Sequence, residues 1–95
     1  MEKNLEKRIV DYAKSLGLRS AKFIDQSRKG APDRMIFYPK GVILFLETKV
    51  GKNGLSVHQE KYHQVLVSED HLVCAVWNFE QAKKEIDEAY RIFKS

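Results

Sequence analysis

Apolar side chains recur at helical spacing in three parts of the chain. Residues 4 to 16 show this period, and Gly17 suits the position just after the end of a helix. Residues 56 to 68 predict a second helix. Asn78 is suited to cap a third helix, whose apolar stripe continues to Phe93. The pattern therefore predicts one helix near each end of the chain and one between them.

Four shorter segments predict strands, and they cover residues 21–26, 33–38, 42–49 and 72–77. Residues 42 to 46 are all apolar, which is typical of a strand buried on both faces. Residues 38 to 41 predict a turn that pairs the second and third strands as a hairpin. The helix before the fourth strand permits a parallel crossover. The order αβββαβα predicts an α/β fold, with a mixed sheet flanked by helices on both faces.

Length and composition narrow the class of protein. A chain of 95 residues suits one small domain, so residues 1–95 are predicted to share a single core. The one cysteine, Cys74, excludes a disulfide framework and a cysteine-based zinc site. No stretch approaches the roughly 18 apolar residues of a membrane span, and the charged start of the chain lacks the apolar core of a signal peptide. We therefore expect a cytoplasmic protein with no membrane partner.

Positive charge is concentrated in one part of the sequence. The net charge is +4, from 17 Lys and Arg against 13 Asp and Glu. The segment from 28 to 52 holds two acidic residues and six basic ones, which are Arg28, Lys29, Arg34, Lys40, Lys49 and Lys52. The rest of the chain balances eleven of each sign, so the whole excess lies in that segment. Two interpretations stay open: a surface for an anionic partner, nucleic acid first, or an ordinary solvated basic face.

Two acidic residues and a lysine stand at the ends of the predicted hairpin. Asp33 begins one strand, and Glu47, Thr48 and Lys49 end the next. Side chains alternate along a strand, so Glu47 and Lys49 share a face while Thr48 takes the other. In an antiparallel pair the start of one strand lies beside the end of its partner, so the two carboxylates can converge. Ionised groups beside a core need a partner, and a divalent cation would compensate them.

Such a group of residues suits phosphodiester hydrolysis. Two carboxylates and a backbone carbonyl at Thr48 offer the hard oxygen ligands that Mg²⁺ or Mn²⁺ prefers. The cation would polarise a phosphate and acidify a bound water, while Lys49 positioned the water or stabilised developing charge. A simpler interpretation stays open for each residue: Asp33 as a turn acid after Pro32, and Glu47 with Lys49 as a surface ion pair.

Other polar residues allow two interpretations. Ser56 and Gln59 have capping-box spacing, so Gln59 is either structural or presented to a phosphate at the helix start. Glu6 lies one residue from the apolar stripe of the first helix and either stabilises the helix dipole or joins the site. The histidines are predicted to be surface or boundary residues rather than ligands, and they are His58, His63 and His71. The loop at Lys52 lacks the pattern of a P-loop, so no nucleotide cofactor is expected.

A resemblance to a known family covers nearly the whole chain. The segment from Gly30 to Asp33, the triplet from Glu47 to Lys49, and the later Ser56 and Gln59 resemble the VRR-NUC branch of the PD-(D/E)XK nuclease superfamily. The departure is Thr48, where Val is frequent in the middle of the triplet in that branch, and this position contributes backbone. The resemblance implies a restriction-endonuclease-like fold and Mg²⁺- or Mn²⁺-dependent cleavage of DNA.

The resemblance also implies roles for individual residues. The catalytic set would be Asp33, Glu47, Lys49, Gln59 and Glu6. The metal ligands would be Asp33, Glu47 and the backbone carbonyl of Thr48. The predicted DNA contacts are Arg28, Lys29, Arg34, Lys52 and Ser56.

The family pattern further suggests a substrate and an assembly. Stand-alone members of this size resemble phage or bacterial homodimers that act on branched DNA, including four-way (Holliday) junctions. A homodimer is also expected because Tyr90, Ile92 and Phe93 supply apolar surface near the end of the last helix. Two alternatives remain: a DNA-binding or assembly module of the same fold that does not cut, and a nuclease acting on plain duplex DNA or RNA.

Overall fold

A four-stranded sheet with three helices forms the molecule in the computed structural model, which describes residues 2–94. The helices are α1 (Glu2–Ser15), α2 (Val57–Ser68) and α3 (Phe79–Lys94). The strands are β1 (Arg19–Lys22), β2 (Arg34–Phe37), β3 (Ile43–Thr48) and β4 (Leu72–Val76). The sheet order is β1-β2-β3-β4, with β3 and β4 parallel and the other pairs antiparallel. The predicted αβββαβα order and the mixed sheet are confirmed.

The helices cover opposite faces of the sheet. Leu44 and Leu46 of β3 belong to a core shared with α1 and α3, whereas Phe45 packs against Tyr62 and Leu66 of α2. This alternation explains the uninterrupted apolar run, because β3 has a core on both of its faces. The same alternation continues beyond the apolar run, so it places Glu47 on the α2 face.

The first strand lies earlier in the chain than the pattern predicts. It was expected at residues 21–26, but it pairs with β2 from Arg19 to Lys22. Asp25 accepts hydrogen bonds from the backbone N–H of Ser27 (3.0 Å) and from its hydroxyl (2.8 Å), which forms a turn instead of extended backbone. The local turn ends β1 and leaves the next residues in a loop.

Smaller differences affect the ends of two other elements. Helix α1 begins two residues earlier than predicted and ends at Ser15, and Gly17 follows it with a positive φ of 76°. The turn between β2 and β3 is a short 3-10 helix, Pro39–Gly41, in which Lys40 takes a left-handed conformation. Among the described residues, no helix is both long and apolar enough to cross a membrane.

Candidate active site

Asp33 lies immediately before β2 and is fixed against the end of β3. Its backbone N–H donates to the carbonyl of Leu46 at 3.0 Å. Its Oδ2 accepts hydrogen bonds from the backbone N–H of Thr48 (2.7 Å) and from the Thr48 hydroxyl (2.9 Å). No hydrogen bond from the described residues reaches Oδ1. The start of one strand and the end of the next are therefore adjacent, as the hairpin predicts.

Glu47 is buried on the α2 face, with only 3% of its surface exposed. Gln59 of α2 donates from Nε2 to Glu47 Oε2 at 3.2 Å. The other end of the same amide, Oε1, accepts a hydrogen bond from Lys49 Nζ at 2.9 Å. Because the amide presents its donor to the carboxylate and its acceptor to the ammonium, Gln59 fixes the two charged side chains relative to each other.

The capping box of α2 holds Gln59 in this position. Its backbone N–H donates to the Ser56 hydroxyl at 3.1 Å, and its Oε1 accepts from the Ser56 backbone N–H at 2.9 Å. The sequence left open whether Gln59 caps the helix or contributes to the site. In the structure its side chain makes both sets of contacts, so a structural role does not exclude a functional one.

Gly30 brings the loop before Asp33 against the start of α2. Its φ is +92°, and a Cβ at this position would lie 2.3 Å from the carbonyl oxygen of His58 and 2.8 Å from the backbone nitrogen of Gln59. Only a residue without a side chain allows this approach. The close contact places the segment that carries Asp33 beside the turn that carries Gln59.

His63 is a partly buried residue of this region whose contact with Glu47 the sequence did not predict. It was predicted to be a surface or boundary histidine, and its side chain is 12% exposed, with Nε2 3.7 Å from Glu47 Oε1. Burial, and then the charge of Lys49, lower the pKa of His63, which favours the neutral ring. Spacing offered a signal, because His63 follows Gln59 by four residues and so lies on the same helix face.

Glu6 and Arg34 form a separate ion pair on the other side of the sheet. Glu6 Oε1 lies 3.5 Å from Arg34 Nη1, and Arg34 shares the face of Ile36 beneath α1. Glu6 thus contacts Arg34, the residue that follows Asp33, and its predicted role in the site stays a prediction. The side chain of Arg34 is only 12% exposed, so it does not lie on the open surface that its predicted role as a DNA contact requires. Arg34 is largely buried because its side chain lies beneath α1, where it pairs with Glu6.

The other predicted DNA contacts lie on the surface around the start of α2. Arg28 and Lys29 are exposed in the loop after β1, and Lys52 and Ser56 are exposed in the segment before α2. The Arg28 guanidinium lies 5.5 Å from the centroid of the Tyr62 ring, which places its charge beside the helix. These four side chains are therefore accessible to a partner such as DNA.

The donor chemistry fits a hard divalent cation. Among the side chains that the structure describes, those of residues 4–94, no three His, Cys, Asp or Glu are grouped so that they could hold a metal ion. A cation here would rely on Asp33, Glu47 and the Thr48 carbonyl, with water or phosphate as further ligands. Mg²⁺ is commonly bound in this way, through one or two carboxylates together with waters and substrate phosphates.

Similarity to known proteins identifies the family of the chain. No family model matches the chain. It is 32% identical over 72 residues to "Putative nuclease p44" of Acyrthosiphon pisum secondary endosymbiont phage 1, an alignment that spans 76% of this chain and 77% of the relative. A solved structure described as "VRR_NUC domain" is 30% identical and superposes with a TM-score of 0.81, covering 90% of this chain and 94% of that one. On this evidence the chain belongs to the VRR-NUC family of nucleases.

Proposed function

We propose that the protein is a metal-dependent endonuclease that cuts branched DNA, including four-way junctions. The observation that supports it best is the link from Lys49 through Gln59 to the buried Glu47, with Asp33 fixed against Thr48. Glu47 is buried and hydrogen-bonded to the polar Gln59, and ionisable groups held in this way are common at functional sites.

Each residue of the proposed site has a separate task. Mg²⁺ or Mn²⁺, when bound, would supply a Lewis acid for the phosphate and lower the pKa of a coordinated water. Asp33 and Glu47 would hold the cation together with the Thr48 carbonyl. Lys49, whose ammonium is fixed at 2.9 Å from Gln59 Oε1, would stabilise negative charge on the phosphate in the transition state.

Exposed basic residues support DNA as the substrate, and an exposed apolar residue supports a homodimer. Arg28, Lys29 and Lys52 would bind phosphates that flank the cut, with Ser56 beside them at the start of α2. Ile92 is 58% exposed near the end of α3, and we infer that this surface pairs two copies of the chain. Two sites related by a twofold axis would suit a symmetric junction. We also propose a cytoplasmic location. A phage-derived origin accords with the phage relative.

A cleavage panel tests the proposal. Labelled four-way junction, flap, blunt duplex and RNA are incubated with protein and Mg²⁺, Mn²⁺ or a chelator. We expect cutting of the junction with either metal, none with the chelator, and a loss of at least about tenfold in Lys49→Ala. Lys84→Ala, an exposed lysine on α3, is the matched control for the loss of one positive charge.

Four outcomes would contradict parts of the proposal. Full activity of Lys49→Ala would remove its catalytic role, and equal cutting of junction and duplex, or of RNA, would remove selectivity for branched DNA. Tight junction binding without cutting under any divalent ion would favour a non-catalytic module. The lack of a third ligating side chain among the described residues 4–94 is the observation that favours this second candidate. A monomeric mass in light scattering at micromolar concentration would contradict the dimer.

A further inference from the structure

A cleft of about 350 Å³ opens between the first turns of α1 and α3, at the sheet end that carries Lys49. Its lining includes Arg8, Lys49, Trp77, Phe79 and Glu80. We propose that this cleft binds one unpaired nucleotide of the DNA substrate, with the base stacked on Trp77 and a phosphate near Arg8. The proposal rests on the proposed function, because it specifies which kind of DNA reaches Lys49.

Trp77 has the exposure and rigidity of a stacking platform. The side chain is 38% exposed although it is the largest apolar residue of the chain. Its indole Nε1 donates to the carbonyl of Asn53 at 2.8 Å, and its backbone N–H donates to Gln81 Oε1 at 2.7 Å. The ring is therefore held in place without being covered by the core. Aromatic rings presented in this way stack nucleobases with little regard to sequence.

Arg8 supplies a positive charge on the same cleft. Its Cζ lies 4.1 Å from the centroid of the Phe79 ring, so the guanidinium rests on the cleft wall. Among the side chains described, residues 4–94, none forms an ion pair with Arg8. The charge is thus available to a phosphate. Glu80 also lines the cleft, and its carboxylate would repel a phosphate there. Removing that charge should therefore strengthen DNA binding, whereas removing the charge of Arg8 should weaken it.

The position of the cleft connects it to the proposed site. The backbone N–H of Lys49 donates to the carbonyl of Val76 at 2.9 Å, so Lys49 and Trp77 follow paired positions of β3 and β4. Lys49 and Trp77 therefore lie beside each other, just beyond the ends of β3 and β4. A nucleotide stacked on Trp77 would be close to a phosphate at Lys49.

The size and shape of the cleft favour an unpaired nucleotide. Ligand pockets commonly measure about 300–1,000 Å³, so this cleft is large enough for one nucleotide but not for a duplex. A base within a duplex already stacks on both neighbours and cannot reach Trp77 without leaving the stack. Branch points, flaps and splayed ends offer such a base. Selectivity for branched DNA would then arise from this cleft within one protomer.

The intrinsic fluorescence of the protein tests the proposal, because Trp77 is the one tryptophan in the chain. Protein in chelator is titrated with a single-stranded oligothymidylate, a blunt duplex and the same duplex with an unpaired tail. We expect quenching by the first and third but not by the blunt duplex. Anisotropy of labelled DNA then measures the variants: Trp77→Ala should weaken binding of tailed DNA about tenfold and that of blunt duplex less than about twofold.

Two charge variants keep the test informative if Trp77→Ala does not fold. Arg8→Ala should weaken binding of tailed DNA severalfold and reduce its salt dependence by about one phosphate contact. Glu80→Gln should strengthen it. Arg19→Ala is the matched control, because Arg19 also stacks on a phenylalanine, Phe37, at 3.9 Å, but belongs to β1 and not to the cleft.

The outcomes separate this proposal from the function on which it rests. Unchanged fluorescence with tailed DNA, or wild-type affinity in both Trp77→Ala and Arg8→Ala, would overturn the cleft as a binding site even if junctions are cut. Quenching by tailed DNA and weaker binding of the variants would support the cleft, and because metal is absent from these measurements, a failure to cut would leave that support intact.

Discussion

The α2 face of β3 changes character within two residues. Phe45 packs among aromatic and aliphatic side chains, with the rings of Phe23 and His71 at 5.2 and 5.4 Å between centroids. Glu47, two positions further along the same face, instead meets the polar Gln59 and His63. One strand and one helix therefore form a hydrophobic core and a buried polar cluster side by side. The core contributes stability by burying apolar surface, whereas the polar cluster holds a buried carboxylate in place through hydrogen bonds.

The largest effect on stability is expected in the hydrophobic core around Phe45 on the α2 face. Phe45→Ala removes a buried ring that contacts α2 and the β1–β2 loop, and it should lower the free energy of unfolding by about 4 kcal/mol. Chemical denaturation measures the change. A loss below about 1 kcal/mol would show that this core does not carry the stability we assign to it.

Glu47→Gln, in contrast to Phe45→Ala, should reduce DNA cleavage strongly and change stability little. The substitution keeps the size of the side chain but removes the charge, so DNA cleavage should fall more than about a hundredfold while the free energy of unfolding changes by less than about 1 kcal/mol. Junction cleavage and thermal melting are measured on the same preparation. A stable variant that cuts at the wild-type rate would show that the buried carboxylate is structural.

Gly30→Ala tests the contact that brings the two halves of the site together. A Cβ would lie 2.3 Å from the His58 carbonyl, so the loop must move, at a cost of about 2 kcal/mol or more, and cleavage should fall with it. Gly17→Ala is the matched control, because Gly17 has a similar φ of +76° but nothing within 4 Å. Equal losses in the two variants would mean that backbone strain alone accounts for the effect.

Gln59→Ala should have a moderate effect on both stability and activity. Half of the capping box is lost, which should cost about 1 kcal/mol, and cleavage should fall about 10- to 100-fold because Glu47 and Lys49 lose their common partner. Ser56→Ala removes the other half of the box and leaves the side chain of Gln59 in place. We expect a similar loss of stability but a smaller loss of cleavage, and equal cleavage losses would indicate that only the helix cap matters.

Much of the fold follows from local pattern. The run from Val42 to Leu46 predicts a strand with a core on each face, and the apolar stripes predict α1 and α3. The hairpin also predicts that Asp33 lies beside the end of β3. These inferences succeed because they depend on periodicity and chain connectivity, which are properties of neighbouring residues.

Features that depend on how separate elements meet were not predictable in the same way. The contact between His63 and Glu47 depends on which face of α2 is turned toward the sheet. The pairing of Glu6 with Arg34 depends on where α1 crosses the sheet. The cleft between Arg8 and Trp77 joins side chains from α1 and from the segment after β4. No spacing within one segment of sequence encodes these distances.

The amide of Gln59 restricts what can replace it. Capping boxes accept glutamate at this position as readily as glutamine, and as a helix start alone either residue would serve. Here a glutamate would set a second carboxylate against Glu47, and the mutual repulsion would favour protonation of one of the two acids. The neutral residue is the one that begins the helix without placing a second carboxylate beside Glu47.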